Sequence, residues 1–236
     1  MRIAIMQPYF FPYIGQFQLI QSVDRFILMD DVQYMRHGWV NRNRILNYHE
    51  EGFQYVTVPV KKHPHAARIR DVEIADSADW KKKMLGQLSL YRRVGCFFKV
   101  VSELVEDCIS QPHSSIAQLN AYAFRAVCNY IGMDKNIEIA SELPFDYSTI
   151  VTRQDWAIQL TKQAGATEYY NPPGGIGMYS KNEFAANGIK LSFVMPRLLP
   201  YDQKRPTFTP GLSIVDVMMF NSPEQIRGML NEYDIL

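Results

Sequence analysis

Ile5-Met6-Gln7-Pro8-Tyr9-Phe10-Phe11-Pro12-Tyr13-Ile14-Gly15-Gln16-Phe17-Gln18-Leu19-Ile20, followed one short element later by Phe26-Ile27-Leu28-Met29-Asp30-Asp31, is the stretch from which the fold can be read. Arg2 to Met6 is a short apolar run of the kind a buried parallel strand uses. Pro8 and Pro12 fix the loop after it and keep the residues before them out of the helical region. Ile14 to about Val23 reads as a helix that sets Ile14, Phe17 and either Gln18 or Gln21 on one face, with Leu19 and Ile20 beside it. Asp24-Arg25 closes that helix, and Phe26 to Met29 is the next buried strand. A strand, loop, helix and strand of these lengths form a right-handed crossover between parallel strands. In open sheets of this type ligands sit outside the carboxyl ends of the strands, so the polar clusters that end these two mark the expected site.

Working outward, Asp31 to Tyr48 is polar and aromatic and lacks apolar periodicity, which predicts a loop with a short helical turn and a functional role. Phe53 to Val60 alternates and is rich in β-branched residues, so it predicts a strand; Lys61-Lys62-His63-Pro64-His65 is a basic loop, and Ile69 to Ile74 predicts a further short strand. That basic loop could fold over an anionic ligand or simply be solvated. A helical block spans about residues 79–132. Asp79 is placed to cap a helix from Trp80 through Leu85, Leu88 and Tyr91, a second runs from about Cys96 to Ile109, and a third from Ile116 to Ile131 stops at Gly132. Strand and helix alternation then returns. Asn136 to Ala140 is a strand, Thr152 to about Ala164 a helix, and Glu168-Tyr169-Tyr170 a strand that leads into Asn171-Pro172-Pro173-Gly174-Gly175. Ser180 to Asn187 is a short helix and Ile189 to Val194 a strand. Pro200 to Pro210 is an irregular loop, Ser213 caps a helix with Asp216 at its third position, and Pro223 begins a last helix through Leu230. The expected fold is α/β, a mostly parallel Rossmann-like sheet with the helical block inserted or packed on it, in one domain over residues 1–236.

The chain of 236 residues carries 25 Lys plus Arg against 24 Asp plus Glu, so its net charge gives no global argument for nucleic acid or acidic lipid. There is no run of about 18 apolar residues to span a membrane, and Met1-Arg2 leads into Ile3-Ala4-Ile5-Met6 without the pattern of a secretory signal. Cys96, Cys108 and Cys128 are odd in number and lack metal-type spacing, which predicts a reduced, cytoplasmic protein with cysteines serving as small buried hydrophobes. No Cys-x-x-Cys, His-Glu-x-x-His or Gly-x-Ser-x-Gly pattern supports zinc, haem or a serine triad, no metal site is expected, and the cofactor is left open.

The first loop resembles in outline the strand-loop-helix of the nucleotidyltransferase superfamily, whose Pro-x-His-x-Gly-His sequence sets two imidazoles against a triphosphate. Here the proline and glycine are present as Pro12 and Gly15, three positions apart where that sequence sets them four apart, and both histidines are absent from Pro12-Tyr13-Ile14-Gly15-Gln16. Gly15 still allows close backbone approach and the helix end still attracts an anion, so Gln7, Tyr9, Tyr13 and Gln16 are candidate ligand contacts without the means for pyrophosphate departure. Asp30 and Asp31 could act as bases or bond a sugar hydroxyl, or could be turn residues satisfying backbone amides. His37, in a polar loop beside Trp39 and Arg42, is the best-placed general base. Asn41-Arg42-Asn43-Arg44 offers guanidinium forks for phosphate or carboxylate and amides for hydroxyl pairs. Gly174 and Gly175 could turn backbone amides toward an anion, although this turn lacks the context of a dinucleotide or P-loop site.

Met6 to Phe17, Asp30-Asp31-Val32-Gln33-Tyr34, Trp39 to Ile45 and Leu212-Ser213-Ile214-Val215-Asp216 resemble the WbqC-like family of bacterial proteins. The resemblance runs nearly end to end and takes in Val58-Pro59-Val60, Tyr169 and Phe208-Thr209-Pro210. It implies a place among proteins of O-antigen and other surface-polysaccharide gene clusters. Combined with the phosphate-type and base-type residues, it suggests a transferase that attaches an acyl or aminoacyl group to the amine of a nucleotide-linked amino sugar. The partners would be a nucleotide sugar or other phosphorylated small molecule and an acyl carrier thioester. An ATP-dependent ligase or nucleotidyltransferase-like enzyme and a non-catalytic glycan-binding or assembly factor are the alternatives.

Overall fold

The computed structural model describes residues 1–47, 52–75 and 79–236; Tyr48, the last residue of the expected polar loop, lies outside them. Strand β1 (Arg2–Met6), helix α1 (Ile14–Ser22) and strand β2 (Arg25–Leu28) form the expected crossover, with β1 and β2 parallel from Ile3↔Arg25 to Met6↔Leu28. The face of α1 that the spacing left open is settled by Gln18, fully buried, whose Nε2 donates to the carbonyls of Arg197, Met229 and Glu232. The other sheet strands are β5 (Ile137–Ile139), β6 (Glu168–Asn171), β7 (Lys190–Pro196) and β8 (Tyr233–Ile235). They assemble in the order β5-β2-β1-β6-β7-β8, parallel except for the β7/β8 pair.

Alternation along the strands divides the core into two faces. Ile3, Ile5, Ile27, Met29, Tyr169 and Phe193 pack with Ala157 and Leu160 of α5 (Arg153–Gln163) and Phe184 of α6 (Lys181–Ala186). Ala4, Phe26, Leu28, Tyr170 and Val194 point the other way, into a larger cluster with α1 and the inserted helices. Those helices are α2 (Trp80–Leu88), α3 (Phe98–Ser110) and α4 (Ile116–Ile131), followed at the C-terminal end of the chain by α7 (Ile214–Phe220) and α8 (Pro223–Met229). α4 begins and ends as its residues dictate: the Ser115 hydroxyl accepts from the Gln118 amide, and Gly132 takes the left-handed conformation at φ 77°. No helix among the described residues is long and apolar enough to cross a membrane.

Four local expectations are corrected. Arg42–Leu46 is not loop but strand β3, paired antiparallel with β4 (Phe53–Thr57) from Arg42↔Thr57 to Leu46↔Phe53. Its alternation is hidden in the sequence because an asparagine, Asn43, shares the buried positions with Ile45 and Leu46 and the outward ones are two arginines. Ile69–Asp71 is a 3-10 turn and not a strand, since the amides of Ile69 and Arg70 bond the carbonyls of Val32 and Asp30; only Ile74 bridges to Val60. Asp79 contributes its carbonyl, not its side chain, to the start of α2. Cys96 is exposed, whereas Cys108 and Cys128 are buried and burial pushes both thiols up to about 12.

Candidate functional site

The chain leaves β1 toward β2 and β5 on one side, and β6 continues to β7 on the other, so strand order reverses between β1 and β6. Such a switch point opens a crevice at the carboxyl edge, where the loops after the two strands separate. The loop after β1 is held from three directions. Asn120 of α4 donates its Nδ2 to the carbonyls of Pro8 and Val40, both at 2.7 Å. Asn43 of β3 donates to Phe10 and Phe11, both at 2.9 Å, and the Phe10 amide bonds the Trp39 carbonyl. At the start of α7, the Ser213 hydroxyl bonds the Phe11 carbonyl and the Ile214 amide bonds Pro12.

These restraints turn Phe10 and Phe11 into the core, edge to face at 4.9 Å, with Phe11 at φ 39°. What the loop leaves partly open is Gln7, Tyr9 and Tyr13, and burial raises both tyrosine hydroxyls above their ordinary range. The Tyr13 ring lies so close over Gly15 that a Cβ there would stand 2.3 Å from it, which makes glycine the residue that lets the ring cover the first turn of α1. Gln16, in the same turn, is buried with its Nε2 lacking a partner among the described residues. Across the switch point, Asn171 donates its Nδ2 to the Tyr169 hydroxyl, and its Oδ1 occupies the place a Cβ on Gly175 would need. Gly174 stands exposed with open space around it.

The residues after β2 are buried and engaged. Asp30 accepts from the Ser141 amide at 3.0 Å and hydroxyl at 2.6 Å, locking the β2 end to the β5 end. Asp31 Oδ1 receives Arg68 Nη1 at 2.7 Å and lies 3.2 Å from Arg70 Nε. His37 is exposed, at φ 60°, its carbonyl taking a bond from Arg42 and its ring without a partner among the described residues. Asn41 Nδ2 bonds the Val58 carbonyl. Arg42 lies over the Tyr55 ring, and Arg44 packs on Trp39 and Phe53 while bonding the Gly211 carbonyl.

Of the residues singled out from sequence, Gln7, Tyr9, Tyr13, Gln16, Asn43 and Trp39 thus gather around one loop, with Gly174 and Gly175 across the strand reversal. Asp30 and Asp31 stand one strand away, and Arg42 and Arg44 face outward on the hairpin. Asn120, Arg68, Arg70 and Ser141 were not anticipated. Asn120 did carry a signal, an amide amid the apolar run Leu119 to Ala123, since a buried amide must find partners. No group of three or more His, Cys, Asp or Glu side chains suited to holding a metal ion occurs among the described residues.

The chain matches the WbqC-like protein family over residues 7–228. It is 30% identical over 233 residues to the uncharacterized protein Rv1507c of Mycobacterium tuberculosis, a span covering 96% of this chain and 97% of that protein. No solved structure matches. A family match through both loops of the switch point, together with a relative aligned over almost the whole length, means that this chain belongs to the WbqC-like protein family.

Proposed function

We propose that the chain is a cytoplasmic transferase of bacterial surface-polysaccharide biosynthesis, attaching an acyl or aminoacyl group to the amine of a nucleotide-linked amino sugar. The observation that carries this reading is the strand-order reversal between β1 and β6, bordered by partly open Gln7, Tyr9 and Tyr13 and by the unobstructed Gly174. Tyrosine faces suit a sugar or base, and a glycine without a side chain lets backbone amides approach a phosphate. His37 sits two residues before Trp39, whose carbonyl is bonded to the loop at Phe10, and its exposed ring has no hydrogen-bond partner among the described residues. In the proposed step the sugar amine forms a bond to the acyl carbon, the bond from that carbon to the sulfur of a carrier thioester breaks, and the amine proton passes to His37 as the thiolate leaves.

The test is incubation of the purified chain with nucleotide-linked amino sugars and acyl thioesters, reading the acylated sugar by mass spectrometry. His37→Ala should lower turnover by about a hundredfold or more, the scale of one general base, with sugar binding intact. Unchanged turnover removes His37 from the step, and no product from any donor defeats the transfer reading.

A second reading, a non-catalytic glycan-binding factor of the same pathway, is favoured by the outward face of the hairpin. There Trp39, Phe53 and Tyr55 are each about two-fifths exposed and interleave with Arg42 and Arg44. Glycan binding that Tyr55→Ala abolishes, with no product from any donor, would establish it.

A further inference from the structure

The arginines at the end of β2 stand out from the chain's other ion pairs. Arg68 and Arg70 converge on the same oxygen of Asp31, at 2.7 and 3.2 Å. The carboxylate side chain is 3% exposed, the two arginine side chains 50% and 38%. One guanidinium would suffice to neutralise a buried carboxylate. With buried Asp30 beside Asp31 and exposed Asp71 beside Arg70 the cluster carries no excess of positive charge, so what the second arginine adds is unfilled N–H donors at the carboxyl edge of the sheet. Because Arg68 reaches Asp31 through Nη1 and Arg70 through Nε, the Nε and Nη2 of Arg68 and both Nη groups of Arg70 have no hydrogen-bond partner among the described residues. The nearest other acid is Asp71, exposed, at 3.8 Å from Arg70 Nε.

Both arginines are carried on backbone that is itself fixed. Amides of Ile69 and Arg70 bond the carbonyls of Val32 and Asp30 at 2.9 and 3.0 Å, the Tyr34 amide bonds Ala67, and Asp30 is tied to Ser141. The basic loop before them runs alongside, with His63 edge-on to the Tyr34 ring and His65 held by Gln33. Lys62 is exposed and without a partner among the described residues. The Tyr147 hydroxyl, buried beside Asp30 and Asp31, makes no hydrogen bond of ordinary geometry.

We propose that Arg68 and Arg70, aligned by the buried Asp31, form an anion subsite for the phosphoryl groups of the ligand. Asp31 is then a positioning residue. The forks suit phosphate oxygens because each still offers more than one donor, and their orientation is fixed before the ligand arrives. β2 is the neighbour of β1, so the subsite stands one strand from the loop of Gln7 and Tyr9. This deepens the transferase reading and rests on it for the identity of the ligand: a nucleoside diphosphate whose phosphates reach the β2 side while its sugar lies at the switch point.

The test is calorimetric titration with inorganic pyrophosphate, with uridine diphosphate, and with succinate as a carboxylate probe. Pyrophosphate and the nucleoside diphosphate should both bind, and Arg68→Gln should weaken each at least tenfold. Arg70 keeps Asp31 paired in that variant, and an unchanged melting temperature verifies its fold. Arg68→Lys, which keeps the charge and loses the fork, should fall between the two, and Arg197→Gln, an equal charge loss at the β7/β8 edge, should bind as wild type. The subsite is overturned if wild type binds no pyrophosphate, if Arg68→Gln binds it as tightly as wild type, or if succinate binds equally well with the same dependence on Arg68. Acylated product without pyrophosphate binding would defeat the subsite and leave the transferase reading standing; binding lost in Arg68→Gln, with no product from any donor, would do the reverse.

Discussion

At the scale of single residues, neighbouring glycines and one buried acid show how context decides a side chain's worth. A Cβ on Gly175 would stand 2.1 Å from Asn171 Oδ1 and 3.0 Å from the Tyr179 ring, and Asn171 cannot swing away without losing its bond to Tyr169. Gly174 has nothing within 4 Å. Gly175→Ala should therefore cost roughly 1–3 kcal/mol in denaturant titrations and Gly174→Ala less than about 0.5 kcal/mol. Equal costs would mean that the turn repacks. Asp216 is fully buried, with Tyr91, Tyr201 and Gln203 all donating to its carboxylate. Burial outweighs those bonds and pushes it from 3.8 up to about 6. The folded chain then holds this proton up to about pH 6 while the unfolded chain releases it near 3.8, so the stabilisation is complete below the lower value and lost as pH rises through the higher. Relative to Asp216→Asn, wild type should lose on the order of 3 kcal/mol between pH 3 and pH 7 and change little above. A difference that does not vary with pH would refute the raised acid. From sequence Asp216 reads as a first-turn acid of a helix, and nothing in its neighbours announces Tyr91, a partner 125 positions away.

Among elements, the loop after β1 is built by others. Asn120 comes from the inserted block, Asn43 from the hairpin and Ser213 from the last helical pair, each bonding a carbonyl that the prolines and the irregular path deprive of a ladder partner. Asn120→Ala removes two buried bonds and leaves the Pro8 and Val40 carbonyls unpaired, so it should cost about 2–4 kcal/mol and speed hydrogen exchange at Phe10, whose amide bonds the hairpin neck. A variant as stable as wild type, with unchanged exchange, would show the clamp to be redundant. Elements with one apolar stripe and a clear cap were legible: α4 starts and stops where Ser115 and Gly132 place it, and Thr152 caps α5 with Asp155 closing the capping box. β3 was not, because its inward positions include an asparagine whose partners are loop carbonyls rather than other core side chains. β8 was missed for a related reason, being an edge strand of three residues that carries Asp234 and follows Glu232.

For the whole molecule, the parallel sheet was legible because its strands alternate with helices at crossover lengths, and the switch point follows from strand order once β6 is seen to join β1 on the side away from β2. Strand order itself is not written in local pattern, which is why the two loops could be nominated separately but not set against each other. The same order gives the chain its cooperativity. Ile3 and Ile5 belong to one hydrophobic cluster and Ala4 to the other, and Ile27 and Leu28 are divided in the same way, so neither cluster can open without breaking strands that hold the other. Cys108 and Cys128 both lie in the larger cluster with their thiols pushed up to about 12, while Cys96 is exposed. In native buffer a thiol reagent should label Cys96 alone. Across a denaturant series the two buried thiols should become reactive together, at the midpoint seen by far-ultraviolet circular dichroism and by tryptophan emission, which includes Trp156 packed against the smaller cluster. Thiols that open at lower denaturant than the Trp156 signal would instead show that the inserted helical block is a separate folding unit, since Cys108 and Cys128 report from α3 and α4 and Trp156 from the opposite face of the sheet.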